Sequence, residues 1–133
     1  MSKTQPLIAV VDDEEPIRKA LTRLLRSARF DVETFPSGGE FLESLKIHQP
    51  DCVVLDLHMP LTSGFDVLAR LAESGSPLSV VIITGHDSEE TRNRVLAARP
   101  VAYLRKPVDD QTLLDAIELA MNPTGADKDP FDN

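Results

Sequence analysis

The chain has 133 residues, 41% hydrophobic and 27% charged, with a formal net charge of −8. That length suits one domain around one core, and no apolar run nears the roughly 20 residues that a bilayer crossing needs. The acidic balance argues for solubility and against a general nucleic-acid surface, which needs clustered Lys and Arg.

The N-terminus, MSKTQPLIAVV, lacks the apolar stretch and cleavage site of a secretory leader, so a cytoplasmic protein is expected. In chain order, LIAVV (7–11) reads as a first strand, rich in β-branched residues. Ile17, Leu21, Leu24, Leu25 and Ala28 then fall on one face of a helix, with Pro16 in its first turn. DVETF (31–35) is a second strand, and Ser37 to Glu40 fits a capping box ahead of Phe41, Leu42 and Leu45. CVVLD (52–56) is a third strand, in which the single Cys52 reads as a core residue. Phe65, Leu68 and Leu71 mark a helix starting near Ser63, and VVIIT (80–84) is a fourth strand. Asp87 to Glu90 fits the start of a fourth helix. Its stretch DSEETRNRVLAAR is polar apart from Val95 and Leu96, which predicts a loosely held element. VAYL (101–104) is a fifth strand, and Leu113, Leu114, Ile117 and Met121 mark a last helix capped by Asp109. Beyond it, NPTGADKDPFDN is polar and breaker-rich and contains nothing suited to a helix-turn-helix. The expectation is one domain over 1–122 and a disordered tail over 123–133.

Five βα units in this order imply a parallel sheet with right-handed crossovers and helices on both faces. The first, third and fourth strands are apolar without alternation, as expected where both faces are covered. Parallel strands send their C-terminal ends to one edge, where ligands of open α/β sheets bind. The residues at those ends are Asp12, Asp13 and Glu14, then Asp56, then Thr84 and Gly85, then Lys106 and Pro107. If the first and third strands are neighbours, Asp12, Asp13 and Asp56 converge. Carboxylates about 5 Å apart repel by roughly 3 kcal/mol at an effective dielectric near 20. Such a group takes up protons or binds a hard divalent cation, Mg²⁺ or Mn²⁺. With Lys106 as a point charge and Thr84 as a hydroxyl, the set suits phosphoryl transfer to an Asp carboxylate.

The pieces VVDDEEPIRKAL, DCVVLDLHMPLTSGFDVL, VVIITGHD and AYLRKPVD together resemble the receiver domain of bacterial two-component response regulators, over about residues 6 to 121. The wording TGHD is similar to receivers of the nitrogen-fixation and nodulation type. The resemblance implies a flavodoxin-like (βα)5 fold with a five-stranded parallel sheet in the order 2-1-3-4-5. It implies Asp56 as phosphoacceptor for a histidine kinase or phosphotransfer protein. Asp12, Asp13 and Asp56, with the backbone carbonyl of His58, would hold the cation. Thr84 and Lys106 would contact the phosphoryl group, the Lys106–Pro107 bond would be cis, and Thr84 and Tyr103 would form the switch. An output protein would then meet the face of the fourth helix, fifth strand and fifth helix, with the chain a monomer or a phosphorylation-dependent dimer. The chain would not be an enzyme beyond its own phosphorylation and dephosphorylation.

Two places depart from the family pattern. Arg99, Pro100 and Val101 replace the usual Gly-Ala before the fifth strand, and Pro100 pushes Arg99 away from helical angles. His58 and His86 stand two residues after Asp56 and Thr84, where they are expected to tune hydrolysis of the phosphoryl group. Three other readings remain open: an interaction module that works without phosphorylation, a receiver fragment of a DNA-binding transcription regulator, and an Asp-nucleophile phosphatase. The last expects a second Asp at the place His58 occupies.

Overall fold

The computed structural model describes residues 5–122. Five parallel strands form one sheet in the order β2-β1-β3-β4-β5: β1 (Leu7–Val11), β2 (Asp31–Phe35), β3 (Cys52–Asp56), β4 (Ser79–Thr84) and β5 (Ala102–Arg105). The helices are α1 (Glu15–Ser27), α2 (Gly38–Ser44), α3 (Gly64–Glu73), α4 (Glu89–Val95) and α5 (Asp110–Met121), with a 3₁₀ turn at Leu96–Ala98. This is the flavodoxin-like arrangement expected from the sequence. The tail over 123–133 lies outside the described residues.

The missing alternation in the central strands follows from two cores. Ile8, Val10, Val54, Val81 and Ile83 face Leu21 and Leu25 of α1 and Leu113 and Ile117 of α5. Their neighbours Ala9, Val11, Val53, Leu55 and Ile82 face Phe41 of α2, Val67 and Leu71 of α3, and Val95 of α4. Every residue of β3 is buried, whereas the edge strand β2 is only partly covered. A strand enclosed on both faces has no polar positions to spare except at its ends.

Two strand boundaries differ by a residue from the sequence reading. β4 begins at Ser79, and β5 runs from Ala102 to Arg105 rather than 101–104, because Arg105 pairs with Thr84 while Pro100 brings no N–H to the sheet edge. The capping box expected at Ser37 is half made: the Ser37 hydroxyl accepts from the Glu40 N–H. The reciprocal box forms instead at Ser63 and Asp66. Ser88 caps α4, not Asp87, and Asp109 caps α5 as expected. Arg99 does leave the right-handed helical region, but for the left-handed one (φ 49°) rather than an extended conformation.

α4 is short but not unanchored. Thr91 and Val95 are buried beneath it, and the Arg94 guanidinium lies 3.6 Å above the Phe65 ring of α3. Leu96, with Val95 one of the two large apolar residues read in this stretch, is 52% exposed because it belongs to the 3₁₀ turn, which rotates it out of the helical stripe.

Candidate functional site

The register places β1, β3, β4 and β5 so that their C-terminal ends open on one edge. Carboxylate oxygens of Asp12, Asp13 and Asp56 lie within 4.8 Å of one another there. Asp12 and Asp56 are buried and Asp13 is exposed, so the cluster has a closed floor and an open mouth. Lys106, just after β5, reaches into it. Its Nζ stands 2.9 Å from Asp12 Oδ2, 3.6 Å from Asp56 Oδ1 and 3.0 Å from Glu14 Oε1. The Lys106–Pro107 bond is cis.

Local geometry holds the floor in place. The Asp12 carboxylate accepts from the Glu14 N–H at 2.9 Å, and the Asp12 carbonyl accepts from the Arg18 guanidinium at 2.8 Å. Behind Asp56, a Cβ added at Gly64 would lie 2.3 Å from the Asp56 carbonyl oxygen, so α3 can start this close only with glycine. Thr84 is buried, and its hydroxyl accepts from the His86 N–H at 3.0 Å.

Electrostatics follow from the crowding. Burial, and then the Asp12 carboxylate, pushes the Asp56 carboxyl up to about 7, against the opposing pull of Lys106. Asp12 Oδ2 is fully buried, and its partner is the Lys106 ammonium at 2.9 Å. One ammonium shared among three carboxylates, with Asp13 beside them, leaves the pocket short of positive charge. An all-oxygen set of three clustered carboxylates with an open side fits a hard divalent cation of the Mg²⁺ type. Asp12, Asp13 and Asp56 could hold it.

At the mouth, the rings of His58 and His86 meet edge to face with centroids 4.7 Å apart, and His58 meets Phe65 at 5.7 Å. Tyr103 is buried, and its hydroxyl donates to Asp87 Oδ1 at 2.9 Å. Sequence reasoning took Asp87 for the start of a helix. It is instead the hub of a second cluster, receiving Arg92 through Nε at 3.0 Å and through its terminal nitrogen at 2.8 Å, with Arg105 at 3.8 Å. The five-residue spacing from Asp87 to Arg92 was the available signal. Nothing in the sequence pointed to Tyr103 as its partner.

The model of the response regulator receiver domain matches residues 8–118. Nodulation protein W of Bradyrhizobium diazoefficiens is 35% identical over 119 residues, which are 90% of this chain and 52% of that protein. The chain thus spans about half the length of the curated relatives it matches. Among solved structures, a response regulator receiver protein from Burkholderia phymatum is 40% identical, with a TM-score of 0.78 over 88% of this chain and 95% of that one. FixJ-N is 32% identical, with a TM-score of 0.79 over 90% and 94%. This chain therefore belongs to the response regulator receiver domain family.

Proposed function

We propose that the chain is a phospho-accepting switch, phosphorylated on Asp56 by a histidine kinase or phosphotransfer protein. The observation that carries this reading is the gathering of three carboxylates within 4.8 Å, with the Lys106 ammonium 3.6 Å from Asp56. An Asp56 oxygen attacks the phosphorus of a phosphohistidine. The P–N bond breaks, its electron pair stays with the imidazole nitrogen, and an acyl phosphate forms. Lys106 pairs with a phosphoryl oxygen and Thr84 offers its hydroxyl. Asp12, Asp13, Asp56 and the His58 carbonyl would hold Mg²⁺ (or Mn²⁺), which when bound neutralises charge on the phosphoryl oxygens. Hydrolysis later returns the carboxylate and inorganic phosphate.

Output passes through altered protein–protein contacts on the face of α4, β5 and α5, where Tyr103 and Thr84 act as the switch pair. The setting is cytoplasmic, with the chain a monomer or a dimer that forms on phosphorylation. Among the described residues, no helix is long and apolar enough to cross a membrane.

Treatment with acetyl phosphate and Mg²⁺, followed by intact-mass measurement, tests the reading. Native protein gains one phosphoryl group and Asp56→Asn gains none; equal gain in both sinks it. His58→Ala and His86→Ala change the lifetime of the phosphoryl group, and unchanged lifetimes in both remove their tuning role. A second reading is an interaction module that works without phosphorylation. Binding of an output partner equally well by native protein and Asp56→Asn would support that alternative.

A further inference from the structure

We propose that His58 and His86 form a second cation site, separate from the carboxylate cluster, which takes one nitrogen-preferring divalent ion of the zinc class. The two rings come from different loops, His58 after β3 and His86 after β4, and their centroids lie 4.7 Å apart with the planes at 66°. Zn–N bonds are about 2.0–2.1 Å, so two imidazoles on one tetrahedral ion have centroids about 5 Å apart. The observed separation is close to that of a chelate, which the edge-to-face rings reach by turning so that each directs a nitrogen at the ion.

Both side chains belong to exposed residues, so an ion can enter and keep water in its remaining positions. Imidazole suits zinc, copper or nickel, whereas the all-oxygen cluster suits magnesium. The single cysteine offers no competing thiolate, because Cys52 is fully buried in β3. A bound ion would staple the two loops that follow Asp56 and Thr84. The His86 N–H already rests on the Thr84 hydroxyl, so the staple would fix that turn as well.

The site does not depend on phosphorylation, and its test stands apart from the acetyl phosphate experiment. Zn²⁺ is titrated calorimetrically into native protein in millimolar Mg²⁺, which occupies the carboxylates. His48, paired with Glu33 at 2.8 Å on another part of the surface, serves as the control. Native protein and His48→Ala are expected to bind one Zn²⁺, while His58→Ala and His86→Ala each weaken it at least about tenfold. Imidazole ¹⁵N resonances of His58 and His86, but not His48, shift on addition of Zn²⁺. Circular dichroism confirms that each variant is folded. No binding by native protein at 100 micromolar Zn²⁺, affinity unaffected by the His58 and His86 changes, or loss confined to His48→Ala would each overturn the proposal and leave the two rings as an aromatic contact only.

Discussion

Two carboxylate centres stand near one edge of the sheet and have opposite fates. Asp56 is crowded by Asp12 and Asp13 and has a distant share of one ammonium. Asp87 is alone among donors: Arg92 grips it through two hydrogen bonds, Tyr103 through one, and Arg105 approaches at 3.8 Å. The Asp56 carboxyl is accordingly raised to about 7, chiefly by burial, whereas hydrogen bonding from Arg92 holds Asp87 below its usual range. A saturated carboxylate ties elements together. An undersupplied one stores an unmet demand for charge, which suits it to a cation and a transferred group.

The largest effect that would break this comparison concerns Asp56 in metal-free protein. Its folded carboxyl keeps a proton up to about 7, while the unfolded one releases it near 3.8. Between those values the unfolded state binds fewer protons, so stability falls as pH rises. The shift corresponds to an upper bound of about 4 kcal/mol, reduced by whatever water enters the mouth. Denaturant unfolding of native protein should therefore weaken from pH 4 to pH 7, and Asp56→Asn should lose most of that slope and be more stable at pH 7. Parallel curves for the two proteins would show that Asp56 is not under strain.

Magnesium comes next. At roughly ten times its Kd, binding to the folded state alone adds about 1.4 kcal/mol. Thermal unfolding should shift upward with Mg²⁺ in native protein and not in Asp12→Asn or Asp13→Asn. An identical shift in all three would locate the ion elsewhere.

The smallest effect belongs to Asp87, whose contacts lie near the surface. Tyr103 is the sole tyrosine and the chain has no tryptophan, so its fluorescence reports this centre alone. Asp87→Ala should make that emission more accessible to acrylamide and lower the unfolding midpoint modestly, with Arg105→Ala having less effect than Arg92→Ala. The pH dependence has the opposite sign to that of Asp56. Because its folded carboxyl titrates below the unfolded one, the Asp87 contribution is present above pH 4 and fades as pH drops further. Unchanged quenching in Asp87→Ala would mean that packing alone holds the ring.

The same contrast explains what could be read in advance. Apolar runs ending in Asp12, Asp56 and Thr84 announce both strands and site, because a buried strand admits polar groups only at its mouth. Asp87 carries no such mark. An Asp ahead of a polar helix looks like a cap, and Ser88 beside it takes that place. Its partner Tyr103 is 16 residues away and depends on how β5 lies beside β4, which local pattern does not encode. Likewise, Arg94 over Phe65 joins two helices whose relative placement is set by the sheet face they share.

Cys52 gives the fold an internal clock. The chain's one thiol is sealed at the start of β3, and burial raises it to about 12. Reagents that need a thiolate can reach it only when the middle of the sheet parts. The rate of covalent labelling at Cys52, followed as added mass over hours, would therefore count openings of the sheet's centre in otherwise native solution, without a chemical denaturant or an engineered probe.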